Sequence, residues 1–169
     1  MTTSVHTVLD SPCGPLTLVA REERLAGLYM TEHRHQPAQE TFGPRVAADD
    51  LPVLKDAARQ LEAYFAGDLT DFDIDVAVTG TPFQQRVWAA LRDIPYGETV
   101  SYGELARALG QPTASRAVGL ANGRNPVSII VPCHRVVGAD GSLTGYGGGL
   151  ERKRWLLGFE SSSRQPTLI

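Results

Sequence analysis

Cysteine is scarce in this sequence. Cys13 and Cys133 are the only two among 169 residues, and they lie too far apart to form the dense framework that staples a small secreted domain. Both are read as free thiols. Long apolar runs are missing as well. No window approaches the ~20 residues that a membrane span requires, and the opening MTTSVHTVLDSP has neither the basic start nor the apolar stretch of a secretory leader. These absences predict an intracellular, cytoplasmic protein without a membrane segment. Internal repeats and low-complexity tracts are also lacking. What is there is a globular composition, 42% hydrophobic and 21% charged, sufficient to bury a core in one or two small domains.

The net charge of −3 conceals a division near Gly80. Up to Thr79 the chain carries 6 Lys and Arg against 13 Asp and Glu, a net −7; from Gly80 onward it carries 10 against 6, a net +4. A basic second half fits a polyanionic partner, although many solvated surfaces are equally basic. The same boundary separates two patterns, and we expect domains at 1–79 and 80–169.

In the first half, Val5 to Leu9, Leu16 to Ala20 and Leu25 to Met30 are short β-prone runs separated by turn-rich SPCGP and polar REER. The stretch from Thr31 to Asp50 is polar and punctuated by Pro and Gly, and reads as an exposed loop. Leu54, Ala58, Leu61 and Phe65 recur at helical spacing before Gly67. Phe72, Ile74, Val76 and Val78 alternate with polar or small residues as a half-buried strand would. A small α/β domain follows, an antiparallel sheet plus a helix.

The second half opens on Thr81-Pro82-Phe83-Gln84, a capping box with proline at the first helical position. Phe83, Val87, Leu91 and Ile94 line one face of that helix. Ser101-Tyr102-Gly103-Glu104 is a second capping box, opening a short helix that closes at Leu109-Gly110. Thr113 is the expected cap of a further helix running to about Asn122. Two short helices joined by a glycine-bearing turn make a helix-turn-helix candidate; a plain pair of core helices has the same pattern. The second helix carries only one long polar side chain, Arg116, so it cannot read base edges in detail. It suits close, sequence-tolerant approach to nucleic acid, or equally close packing on a neighbouring helix.

Cys133 stands in Val131-Pro132-Cys133-His134-Arg135. A zinc site needs four ligands in local pairs, yet only His134 is near; His6, His33, His35 and Cys13 all lie in the first half. No metal and no cofactor are expected. A buried inert thiol is the plain alternative, but its polar neighbours suit a sulfur nucleophile activated by histidine.

Taken in order, Gly80 to Gln84, Ile94 to Gly97, Ser101 to Gly103, Arg116 to Gly119, Asn122 to Pro126, Val131 to Arg135, Tyr146 to Gly149, and Lys153 to Leu157 with Glu160 resemble the O6-alkylguanine-DNA alkyltransferase family. The first half is similar to that family's RNase H-like domain in layout only. The resemblance implies a mainly α, winged-helix-like second domain with a helix-turn-helix. It implies transfer of an alkyl group from O6-alkylguanine in duplex DNA to Cys133 in a single irreversible turnover, with O4-alkylthymine a further candidate substrate.

The same resemblance assigns roles. His134 would take the thiol proton through a water and be oriented by Glu160, a residue that on its own reads as a solvated helix end. Tyr102 would donate toward the guanine ring. Asn125 would be the hinge between recognition helix and active-site turn. Val136, Tyr146, Gly147 and Gly148 would line the base pocket, with the carbonyls of Cys133 and Val136 accepting from the exocyclic amine and the Gly147 N–H reaching O6. Arg116 would fill the space left by the extruded nucleotide in the minor groove, and Ser101, Tyr102, Ser115, Ala117, Asn122 and Arg135 would contact DNA. The ligand set of the family's zinc-binding subset is not reproduced. A stand-alone repair protein, monomeric in solution, is expected, with cooperative assembly on DNA left open. A cysteine hydrolase or a DNA-damage sensor are the rival classes.

Overall fold

In the computed structural model, which describes residues 3–164, the three β-prone runs pair into one antiparallel sheet. Strands β1 (Ser4–Leu9), β2 (Leu16–Arg21) and β3 (Arg24–Met30) lie in the order β1-β2-β3. One face presents Leu16, Leu18, Leu25 and Leu28, all fully buried, to helix α1 (Pro52–Phe65). That helix turns Leu54, Ala57, Leu61 and Tyr64 inward and leaves Phe65 only half-buried, so Tyr64 takes the place expected for Phe65.

Two expectations need correction here. The segment from Thr31 to Asp50 is not simply an exposed loop. It contains two 3-10 turns, Gln39–Phe42 and Ala48–Asp50, and it covers the second face of the sheet. Phe42 is 2% exposed and stacks on Tyr29 at 5.5 Å, with Val19 completing the cluster. The backbone then runs beside edge strand β1: His6 N–H donates to Pro44 O at 3.0 Å and Val46 N–H to His6 O at 2.8 Å. Covering an edge in this way satisfies groups that would otherwise template aggregation. Gly43 makes the turn possible, with φ +73 and a hypothetical Cβ only 1.8 Å from Ser4 O. Gly43→Ala is therefore expected to lower stability by about 2 kcal/mol, read as a reduced Tm with the second unit's chemistry unaltered.

The second correction concerns Phe72 to Val78, which is not a strand. Leu25 N–H donates to Asp75 O at 3.0 Å and Ala77 N–H to Leu25 O at 2.8 Å, a single bridge beside β3. Further along, the Gln60 side chain takes the backbone groups of Asp73, at 2.8 and 2.9 Å. A side chain thus replaces the neighbouring strand, and the ladder stops.

The chain divides into units Met1–Thr79 and Gly80–Ile169. In the second, helix α2 (Pro82–Leu91) starts at the Thr81/Gln84 capping box, whose two reciprocal bonds measure 3.1 and 3.0 Å. Strand β4 (Val100–Ser101) leads directly into helix α3 (Tyr102–Ala108), capped reciprocally by Ser101 and Glu104. A turn through Gly110, at φ +75, leads to helix α4 (Ser115–Gly123). Thr113 does not cap α4. The turn bond from Ala114 N–H to Gln111 O carries Thr113 outward, and Ala114 occupies the N-cap without a side-chain acceptor. Helix α4 packs on α2 and α3, and the Trp88 indole donates to Ala121 O at 2.8 Å. Strand β5 (Val136–Val137) pairs in parallel with β4, and helix α5 (Leu150–Arg164) closes the unit. The β4–β5 pair matters for chemistry, because the turn bearing Cys133 runs straight into β5 and is thereby held beside the start of α3.

Candidate active site

Cys133, His134 and Arg135 form one 3-10 turn, and all three are buried. The approach to it is tightly wound. Asn125 accepts from Val127 N–H at 3.0 Å and donates to Val131 O at 2.8 Å, tying the end of α4 to the turn. Within that loop Ile129 has φ +72, and Ile130 N–H bonds back to Ser128 O at 2.8 Å. This is a three-residue γ-turn of the strained, positive-φ kind, in which a β-branched residue is rare. Pro132, at φ −81 and ψ 66, forms the relaxed γ-turn that delivers Cys133, whose N–H bonds Val131 O at 2.8 Å.

Beneath the cysteine lies an ionic hub. Glu160, only 1% exposed, accepts from His134 Nε2 at 2.8 Å and from Arg135 Nε and Nη2 at 2.9 and 3.0 Å. Arg135 also donates to Ile94 O at 2.6 Å and lies over the Tyr96 ring at 5.7 Å. Burial alone would raise the Glu160 carboxyl, but the bonds from His134 and then Arg135 outweigh it and hold the carboxyl at about 2. An ionised Glu160 fixes the histidine tautomer: Nε2 carries the proton and donates, so Nδ1 holds a free lone pair. That Nδ1 is buried and has no hydrogen-bond partner among the described residues.

Burial pushes the Cys133 thiol up, while hydrogen bonds from Asn125 and Ser128 and the charge of Lys153 pull it down. Burial likewise pushes His134 down, against its bond to Glu160. The resting pair is therefore a thiol and a neutral imidazole rather than an ion pair. Lys153 is fully buried, and burial lowers it to about 8. Its Nζ donates to Val136 O at 2.6 Å and Thr144 O at 2.7 Å. Tyr102 Oη donates to the same Thr144 carbonyl at 3.1 Å. Thr144 O thus joins α3, α5 and the loop that leads to Tyr146, Gly147 and Gly148. Tyr146 and Gly148 are buried and Gly147 half-buried. The Val136 carbonyl, expected to accept from the base, already accepts from Lys153, and the Cys133 carbonyl accepts both from Asn122 Nδ2 at 3.3 Å and from the Val136 N–H, so at Cys133 an exocyclic amine would have to displace one of two donors.

Most of the residues singled out in the sequence gather here, but two expected DNA contacts do not belong on the surface. Arg135 is 5% exposed with its guanidinium committed to Glu160 and Ile94, and Asn122 is 1% exposed and bonded to the Cys133 carbonyl. Both are internal braces, because each finds its partner inside the fold. Arg116 and Ala117 are exposed on α4; Ser115 and Ser101 are half-buried, and the Ser101 hydroxyl is occupied in capping α3. Ser128, Thr144 and Lys153 were not singled out for chemistry. A lysine inside an otherwise amphipathic terminal helix carries no signal of burial, and a carbonyl such as that of Thr144 carries none at all.

Among the described residues no three His, Cys, Asp or Glu side chains group as a metal site, and no helix is long and apolar enough to cross a membrane.

Residues 4–78 match the family model for the 6-O-methylguanine DNA methyltransferase ribonuclease-like domain, and residues 82–162 that for its DNA-binding domain. A methylated-DNA–protein-cysteine methyltransferase of Mycobacterium bovis is 55% identical, covering 93% of this chain and 92% of that one. One from Methanosarcina acetivorans is 50% identical over 93% of this chain and 98% of its own. Among solved structures, Mycobacterium tuberculosis O6-methylguanine methyltransferase superimposes with a TM-score of 0.85 at 54% identity, covering 98% of this chain and 96% of that one. Mycobacterium tuberculosis OGT in complex with DNA does so at 0.84 and 53%, covering 94% of each. With both of its units matched by one family's models and relatives matched along nearly the whole chain, this protein belongs to the 6-O-methylguanine DNA methyltransferase family.

Proposed function

We propose that this chain repairs DNA by moving an alkyl group from O6 of guanine onto its own Cys133 Sγ, once per molecule. The observation that carries the reading is His134: Nε2 is fixed by an ionised, buried Glu160, and Nδ1 stands unpartnered to receive a proton. In the reaction His134 Nδ1 takes the thiol proton through one water, and the imidazolium forms against the Glu160 carboxylate. The Sγ–C bond forms as the C–O6 bond breaks, and the departing guanine takes a proton from Tyr102, which exchanges its bond to Thr144 for one to the base. Lys153 places positive charge near the sulfur, and the loop through Tyr146, Gly147 and Gly148 closes over the base. The product is a thioether, which water does not cleave as it does a thioester, so the protein is consumed.

A base inside a duplex is out of reach, and extrusion costs a few kcal/mol. Arg116, exposed on a helix whose other outward residues are mostly small, fills the vacated stack from the minor groove. The same pocket accommodates O4-alkylthymine, which offers an equivalent alkyl–oxygen bond. Functionally the division falls between Thr79 and Gly80, with DNA binding and chemistry both in the second unit, and the protein acts as a monomer.

The test is to incubate the protein with duplex carrying one O6-methylguanine and weigh the Cys133 peptide. A gain of one methyl group on Cys133, at no more than one per molecule, supports the reading. Many repaired bases per molecule point to a hydrolase, and binding without mass gain to a sensor. For Arg116→Ala, the rate with alkylated duplex is expected to fall about tenfold or more relative to the rate with free alkylguanine base. If that ratio is unchanged, Arg116 is not the residue that compensates extrusion, whatever the absolute rates; a uniform loss of affinity with a shallower salt dependence marks a phosphate contact instead.

A further inference from the structure

Helix α4 turns Val118, Ala121 and Asn122 inward. Its opposite face carries two long side chains, Arg116 and Leu120, one turn apart, among Ala117, Gly123 and, at the C-cap, the exposed Arg124. Leu120 is 70% exposed, well beyond the other exposed large apolar side chains among the described residues, Leu150 at 44% and Trp155 at 38%. A single exposed leucine is unremarkable on most surfaces. Its position here is different, because it sits in the centre of the one face whose small residues allow close approach, between two arginines.

We infer that Leu120 is an apolar duplex contact, packing on the sugar walls and floor of the minor groove beside the nucleotide that Arg116 replaces. This rests on the reading of α4 as the groove-docking helix. Four residues of helix span about 6 Å, less than two base-pair steps at ~3.4 Å each. Leu120 therefore meets a base pair flanking the target rather than the target itself. Minor-groove proteins use leucine in this way, pressing apolar side chains against or between base steps to hold the groove open. A leucine contact has no donor or acceptor to match, so it adds affinity without reading sequence. The flanking arginines supply the charge that favours DNA, rather than a second protein chain, as the occupant.

The experiment compares the parent, Leu120→Ala and Leu120→Met on three readouts: affinity for a 16-base-pair unmodified duplex, the salt dependence of that affinity, and the rate with free O6-alkylguanine base. Leu120→Ala is expected to bind duplex about tenfold more weakly, about 1.4 kcal/mol, with an unchanged salt slope because no counterion is released by an apolar contact. Leu120→Met should retain most of the affinity, and all three proteins should react equally with the free base. Parental duplex affinity in Leu120→Ala overturns the inference, as does a change of oligomeric state without a change in DNA binding. If the parent itself transfers from neither base nor duplex, the proposed function fails instead; a parent active on both, with Leu120→Ala binding normally, removes Leu120 alone.

Discussion

Glu160→Gln is expected to cost about 3–5 kcal/mol of stability and to slow transfer by about a hundredfold or more in the molecules that remain folded. The carboxylate accepts three bonds from two buried donors, Arg135 and His134. A carboxamide has one oxygen for that task, and its NH2 group must point at an N–H of one neighbour. The buried guanidinium of Arg135 then lacks a counter-charge. With no anion below it, the His134 imidazolium formed during transfer is unsupported, and the tautomer that frees Nδ1 is no longer enforced. Thermal denaturation reads the first effect and single-turnover kinetics with a free alkylguanine base the second. Parental rates in a destabilised variant would make Glu160 a brace for Arg135 and nothing more.

The same group sets the acid stability of the parent. Its folded pKa is about 2 against an ordinary 4.5, so its stabilisation is complete above about 4.5 and is lost as pH falls from there toward 2. His134 adds an earlier limb. Burial lowers its pKa from 6.5, so below about 6.5 the unfolded chain binds a proton that the folded one refuses, and stability begins to decline. Glu160→Gln should show a shallower limb below 4.5, the remainder coming from Glu104 and Asp140, whose hydrogen bonds to Ser101 and Ser142 also lower them; chemical denaturation across pH would reveal the difference.

Asn125→Ala is the second large effect, expected at about 2–4 kcal/mol, from one buried N–H left without a partner and one buried carbonyl that loses the side-chain donor but keeps the Cys133 N–H. Those groups are Val127 N–H and Val131 C=O. The loop between them contains the strained turn at Ile129, so once the amide is removed the loop can relax and Cys133 moves with it. Transfer to free base should slow at least about tenfold, since the amide also supports the thiol directly. Asn125→Asp keeps the acceptor for Val127 but not the donor for Val131, and should fall between the two. A variant that folds less stably yet reacts at the parental rate would show that the loop does not place the sulfur.

How far the sequence could be read depended on the reach of each interaction. The capping boxes at Thr81 and Ser101 are complete within four residues, and the structure forms both. The short strands and the Cys-His pair are equally local. Thr113 failed as a cap because the turn ahead of α4 is closed by backbone rather than by its hydroxyl. Phe72 to Val78 alternates like a strand, but its pairing depends on Gln60, more than ten residues away. Glu160, Arg135 and Lys153 are charged residues that sequence alone assigns to water. Only the folded chain brings Glu160 and Arg135 to one another, and Lys153 to its carbonyls. For Glu160 the family resemblance supplied what residue type could not.

The uncharged state of the resting cysteine has a consequence for how the protein survives before it meets DNA. Peroxide, oxidised glutathione and electrophilic metabolites all react with thiolates far faster than with thiols. Cys133 is 3% exposed and held toward its protonated form, so such reagents find little to attack. A molecule that acts once gains most from this reserve, because any encounter with an oxidant would remove it from service as surely as a repaired base.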